Sequence, residues 1–269
     1  ARVLIETTDM PFGDVAFAAG FSSIRQFNDT VRTVCDLTPT LLRRKARTRS
    51  GFDDAVGSGA MSLRLPVRTP FSYEGLFGHL AASAVPGVEE VRHGAYRRTL
   101  GLPHGAGIVS LRPHPDHVRC QLVADDFRDV STAISRCRRL LDLDADPEAI
   151  VDVLGADEVL GTLVAEAPGQ RIPGTVDEHE LAIRVVLGQQ VSIGAARTHT
   201  GRIVAAYGRP IKDADGDLTH VFPASQDLRD IDARYLAFPK SRQRTLTALI
   251  AALNSGEVVL NSGCDRNLA

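Results

Sequence analysis

Apolar positions recur at helical spacing over residues 1–7 (ARVLIET), and Thr8-Asp9-Met10-Pro11 breaks the pattern. A short helix is predicted over about 13–19. Gly20 stops it, and Ser22-Ser23 offers N-cap hydroxyls to a second helix through Ile24, Phe27, Val31 and Val34. Two helices joined by a glycine turn form a helix-turn-helix pattern, with Phe21 and Phe27 on its inward face. Residues 49–60 then turn small, acidic and rich in Gly and Ser, which predicts a linker.

From Met61 the pattern alternates: Leu63, Leu65 and Val67 share one face of a strand, and a helix follows over 72–85, ended by Pro86-Gly87. Further strands are predicted over 88–100, 107–112 and 117–123. A second helix over 127–141 keeps Val130, Ile134, Cys137 and Leu141 on one side. The pattern is that of an antiparallel sheet carrying two helices. Beyond Asp144 it reads as helical to the end, with Pro147 as a start, Gly155 as a stop, and Thr175-Val-Asp-Glu178 as a capping box. The long helix behind that box contains Gly188, and a mid-helix glycine predicts close approach of another backbone. Helices over 225–237 and 240–254 complete the set. The expected fold is therefore α+β and multidomain: a helix-turn-helix at 1–48, the linker, an α+β domain at 61–143 and a helical part at 144–269.

Composition excludes several classes. With 43% hydrophobic and 24% charged residues in 269, the chain is neither disordered, collagen-like nor a coiled coil. It lacks a membrane-spanning run and a secretory pattern, so a cytoplasmic location is expected. Cys35, Cys120, Cys137 and Cys264 make no Cys-x-x-Cys pair and read as buried or idle thiols. The net charge of −2 is unevenly spread: the first fifty residues carry eight basic and five acidic groups. A basic block on a near-neutral chain points to a local nucleic-acid contact.

A recognition helix must present polar side chains to base edges, and Ser22, Ser23, Arg25, Gln26 and Asn28 meet that need, with Arg43 and Arg44 in the basic tail as phosphate contacts. The run Gly20-Phe-Ser-Ser-Ile-Arg-Gln-Phe-Asn28, followed by Thr38-Pro39, resembles the second helix-turn-helix of AraC-type regulators, and residues 1–7 resemble that family's connecting helix. Asp29, Thr30 and Val31 depart from the aromatic and basic residues usual there.

Pro173-Gly-x-x-Asp177-x-x-Glu180 leading to Leu187-Gly-Gln-Gln-Val-Ser192 resembles AlkA-type alkylation-repair DNA glycosylases. Pro70-Phe-Ser-Tyr73 through His79-Leu-Ala-Ala82 is similar to the same family's N-terminal sheet domain. The resemblance runs over about 61–255, so the helical part looks like a partial HhH-GPD domain. Behind an AraC-type module it further resembles bacterial Ada–AlkA fusions. It implies double-stranded DNA and alkylated bases as partners, a monomer, and hydrolysis of the N-glycosidic bond after base flipping, with no cofactor. Gln190 takes the family's wedge position, supported by Gln189 and Ser192, and Tyr73, Phe77 and His79 fall at the pocket rim.

The family's Leu-Pro-Gly-x-Gly hairpin and the aspartate beyond it do not occur in the sequence, so no catalytic residue is assigned and the chain is expected to excise nothing by itself. Asp177, Glu178 and Glu180 read as helix-dipole carboxylates instead. No metal ligand set is assigned; His104, His114 and His117 read as loop residues without an acidic partner, and zinc is expected only in an upstream methyl-accepting module. The rival reading is a non-enzymatic AraC-type regulator with a C-terminal part that senses damage or a ligand.

Overall fold

The computed structural model describes residues 1–8, 10–35, 37–48 and 60–260. Residues 49–59, the body of the expected linker, and 261–269, which include Cys264, lie outside the described residues.

Four helices open the chain: α1 (Arg2–Thr7), α2 (Phe12–Ala18), α3 (Ile24–Cys35) and α4 (Pro39–Thr48). Gly20 adopts φ 81°, a left-handed turn that costs glycine little, and Ser23 Oγ accepts the Gln26 N–H at 3.2 Å to cap α3. Phe27 is fully buried, and Phe21 meets its ring edge-on at 5.5 Å.

β1 (Met61–Pro66), β2 (Glu89–Arg92), β3 (Ala95–Leu102), β4 (Gly105–His114) and β5 (His117–Ala124) make one antiparallel sheet in the order β1-β5-β4-β3-β2. α5 (Tyr73–Ser83) and α6 (Val130–Leu140) pack against β3. Leu63, Leu65, Tyr96, Leu111, Cys120 and Leu122 alternate inward and are buried. α1 lies against β1 and α2 against the 3-10 turn Phe127–Asp129, so Leu4, Val15 and Phe27 share one apolar cluster with the sheet. The expected single strand at 88–100 is instead a hairpin. His93 at φ 50° and Gly94 at φ 73° form a two-residue left-handed turn, and Val91 pairs with Tyr96 across it.

α7 (Pro147–Leu154) and α8 (Leu160–Glu166) pack on each other and leave Val153, Val159 and Leu163 exposed. α9 (Glu178–Gly188), α10 (Ile193–Tyr207) and α11 (Lys240–Ser255) enclose a second core of Ile183, Leu187, Ile203, Leu246 and Ile250. Four expectations fail here. β6 (Arg209–Pro210) and β7 (His220–Val221) form a short ladder inside the stretch read as helical. The helix expected over 225–237 is two 3-10 turns; Asp232 accepts from Arg234 N, a side-chain bond that competes with a continuous helix. The capping box is displaced: Asp177, not Thr175, caps α9 by accepting the Glu180 N–H at 2.9 Å. Gly188 ends α9 rather than sitting within it. A Cβ there would meet nothing closer than Ala196 Cβ at 3.8 Å, so the expected close backbone approach is absent among the described residues.

Candidate nucleic-acid interface

The helix-turn-helix presents Ser22, Ser23, Arg25 and Gln26 to solvent, with Asn28 half-buried beside Phe27. Ser22 Oγ donates to Gln26 Oε1 at 2.9 Å, which orders the start of α3. Arg32 lies two turns beyond Arg25 on the same exposed face. The sequence reading missed it, although its seven-residue offset was the available signal. The two tail arginines expected to contact phosphate differ in placement. Arg44 is exposed, whereas Arg43 donates to Met10 O at 2.7 Å and Ile5 O at 3.3 Å and stacks 4.1 Å over the Phe12 ring. Arg43 therefore fastens α4 to the α1–α2 connection, and those donors serve the fold.

A second exposed polar surface lies between α9 and α10. Gln189 closes α9 in extended backbone, Gln190 follows at φ 56°, and Ser192 caps α10 by accepting the Ala195 N–H at 3.2 Å. Gln189, Gln190 and Ser192 are all exposed, and so is Ile193, at 60%. A non-glycine residue in the left-handed region costs about 1–2 kcal/mol, and such strain concentrates at functional turns. Ile193 is the residue here that sequence reasoning missed; an aliphatic directly after a capping serine was its only mark.

Tyr73, Phe77 and His79 are not brought to this turn. Tyr73 and Phe77 are half-buried against the sheet core, their rings 6.5 Å apart, and Tyr73 Oη donates to His117 O at 3.3 Å. His79 is exposed on α5. The opposite end of α5 approaches the turn: Ser83 and Val85 line a cavity of about 210 Å³ with Arg184, Val191, Ile193 and Arg197.

The helical part is welded to the sheet by a buried ion cluster. Arg98 of β3 donates to Glu89 at 3.1 Å and to Glu180 of α9 at 2.8 Å, and Arg184 bonds both glutamates at 3.0 and 2.9 Å. Arg98, Glu89 and Glu180 are each at most 5% exposed. Burial alone would raise the Glu89 carboxyl, but Arg98, Arg184, the Tyr96 hydroxyl and the Val85 N–H together hold it below the ordinary carboxylate value.

Beside this cluster lies a cavity of about 830 Å³ between sheet and helices, reached by Arg98, His104, Arg136, Asp177, Tyr207 and Asp227 among others. Its carboxylates are engaged: Glu180 in the ion cluster, Asp177 and Asp227 on backbone N–H groups. Glu178 pairs with Arg139 at 2.6 Å. His104 Nδ1 lies 2.7 Å from buried Asp129.

The histidine loop needs a correction. Asp116 does join His114 and His117, with ligand atoms all within 4.8 Å of one another. Arg64 already holds Asp116 at 2.7 Å, and the hydrogen bond from His117 and that from Arg64 bring the Asp116 carboxyl down to about 2. A guanidinium thus sits where a metal dication would add its charge.

Residues 62–177 match the family model of the AlkA N-terminal domain. Over 266 residues, 98% of this chain, the sequence is 68% identical to a probable bifunctional transcriptional activator/DNA repair enzyme AlkA of Mycobacterium tuberculosis (strain H37Rv), of which it covers 53%. It is 30% identical over 194 residues to DNA-3-methyladenine glycosylase 2 of Escherichia coli (strain K12), covering 70% of this chain and 65% of that protein. The chain thus spans about half the length of the mycobacterial relative. Among solved structures, a 3-methyladenine DNA-glycosylase from Archaeoglobus fulgidus superimposes with a TM-score of 0.59 at 16% identity, over 70% of this chain and 66% of that one. An apo 8-oxoguanine glycosylase/lyase from Clostridium acetobutylicum gives 0.56 at 16% identity, over 76% and 67%. These similarities show a shared fold. Among the described residues no helix is long and apolar enough to cross a membrane.

Proposed function

We propose that the chain, whose residues 62–177 match the AlkA N-terminal domain, is the DNA-engaging part of an AlkA-type alkylation-repair glycosylase joined to an AraC-type DNA-binding module. The reaction proposed for the whole protein is hydrolysis of the N-glycosidic bond of alkylated bases in double-stranded DNA. Alkylation of a ring nitrogen makes the base cationic, so it departs with little acid catalysis. What the protein must supply is access, by bending the duplex and turning the nucleotide out of the stack. The chain is proposed to act as a monomer and without a cofactor.

The observation that carries the reading is Gln190, strained into the left-handed region at the tip of an exposed turn. A side chain held there fills the gap left by an extruded nucleotide, and its amide can bond the orphaned base. Gln189 and the Ser192 end of α10 flank it, where helix N–H groups favour phosphate. At the other end of the chain, Ser22, Ser23, Arg25, Gln26 and Asn28, with Arg44, are proposed to read duplex DNA for transcriptional control.

Replacing Gln190 with Gly tests this. Relief of left-handed strain is expected to stabilise the fold by about 1 kcal/mol. Fluorescence anisotropy is expected to show the preference for abasic-site duplex over intact duplex falling several-fold in Gln190→Gly. An unchanged preference sinks the assignment. The chain alone is expected to release no 3-methyladenine from methylated duplex DNA, because the cavity carboxylates are committed to internal bonds. Release above a heat-killed control would put the catalytic carboxylate within these residues.

A further inference from the structure

The cavity of about 830 Å³ between the sheet and the helices is used by no step above. One wall is the tip of the β3–β4 hairpin, where register pairs Gly101 with Ala106 and Leu102 with Gly105. Two arginines are fastened to this tip: Arg136 of α6 donates to Gly101 O at 2.5 Å, and Arg209 of β6 donates to Gly105 O at 2.8 Å. His104, at the turn itself, donates its backbone N–H to Asp129 at 2.9 Å and holds Nδ1 2.7 Å from the same carboxylate. Asp129 is buried, so tip and ring are kept in one orientation. The β6–β7 ladder packs closely on β3: Thr99 Oγ1 donates to His220 O at 2.9 Å, and a Cβ at position 101 would meet Val221 Cγ1 at 3.2 Å.

The third arginine of this lining, Arg98, is neutralised by two glutamates. Arg136 and Arg209 differ from it: each donates to one carbonyl and forms no ion pair with a described residue, which leaves most of each guanidinium fork unbonded. His104 Nε2 is likewise unbonded among the described residues. The same lining holds acceptors. Asp177 takes the Glu180 N–H through Oδ1 and Asp227 takes the Ala224 N–H through Oδ2, so each keeps a second oxygen able to accept. Leu102, Val176 and Phe222 add an apolar surface. The volume falls within the about 300–1,000 Å³ usual for small-molecule sites. Guanidinium forks suit phosphate oxygens, free carboxylate oxygens suit N–H donors, and the apolar surface suits a flat ring.

We propose that this cavity binds a nucleoside monophosphate whose base carries an exocyclic amino group, with the phosphate on Arg136, Arg209 and His104 and the amine on Asp177 or Asp227. An intact duplex does not enter a cavity of this size, so the ligand is a free nucleotide. The site shares no residue with the helix-turn-helix or the Gln190 turn, and its occupancy does not depend on the glycosylase reading.

Isothermal titration calorimetry of the 269-residue chain with 2′-deoxyadenosine 5′-monophosphate, inorganic phosphate and deoxyadenosine tests this. The nucleotide is expected to bind at a single site, about tenfold or more tightly than either fragment, because both ends of it are held. Arg136→Ala/Arg209→Ala is expected to weaken nucleotide binding by about tenfold or more, through loss of charge-assisted hydrogen bonds. These two arginines also fasten the hairpin, so a second variant leaves both anchors in place. Gln226 is an exposed residue of the lining, and Gln226→Glu adds a negative charge there and is expected to weaken the nucleotide several-fold. Arg112→Ala, an exposed arginine outside the cavity, is expected to bind as the unaltered chain does. Absence of nucleotide binding by the unaltered chain overturns the proposal. Equal affinity for nucleotide and inorganic phosphate overturns it too, since the cavity would then take an anion alone. Unchanged nucleotide affinity in either cavity variant has the same consequence.

Discussion

Buried and exposed arginines of one sheet differ in their surroundings. Inside, Arg98 lies between Glu89 and Glu180, and Arg184 closes the arrangement, so two cations and two anions are withdrawn from water together. Outside, Arg64, Arg119 and Arg112 oppose one another across neighbouring strands. Burial explains the difference. A charge out of water must find its partner within the protein, and here that partner comes from another part of the chain, so the pair fixes how sheet and helices join. A charge at the surface keeps much of its solvation, so like charges can stand on neighbouring strands at smaller cost.

The strongest way to break this contrast is on the inward side. Arg98→Met leaves two buried glutamates short of a cation, and urea denaturation is expected to show a loss of about 3–5 kcal/mol. A loss under 1 kcal/mol would mean the cluster is solvated and joins nothing.

A change of pH probes the same cluster without mutation. Glu89 in the folded state titrates below its ordinary value, so its contribution to stability is fully present above the unfolded carboxylate pKa of about 4.3 and is lost as pH falls through the lower, folded value. Thermal melts between neutral pH and pH 3 are expected to fall in the acid range, less steeply in Glu89→Gln. Equal slopes would move the effect to other carboxylates.

The smallest effect is expected outside. Arg112→Ala removes one of the opposed charges from an exposed site, and its stability is expected to stay within about 0.5 kcal/mol of the unaltered chain or rise slightly. A loss above 1 kcal/mol would make Arg112 part of the fold.

Much of the architecture was legible in local pattern. The Gly20 turn and the Ser23 cap announce the helix-turn-helix, and the inward alternation of Leu63 and Leu65 announces β1. Where the reading failed, the signal was short or non-local. His93-Gly94 looks like an interruption in a strand until both residues are seen in the left-handed region. Asp232 interrupts an expected helix through a single side-chain bond that a 3.6-residue period does not reveal. The site residues divide in the same way. Gln189, Gln190 and Ser192, singled out by their motif, lie exposed on one turn, whereas Tyr73 and Phe77, expected at a pocket rim, lie half-buried against the sheet core.

The sequence by itself determined the capped start of α3, the alternation of β1 and the basic, polar surface near the first turn, because each depends on neighbours within about one helical turn or on strand alternation. Only the tertiary structure decided where the arginines find their partners. Arg43 meets Ile5 and Met10, Arg98 meets Glu180, and Arg64 stands beside Arg119, all partners far away in the chain. Charge is written residue by residue, but its neutralisation is a property of distances that exist only once the chain has folded.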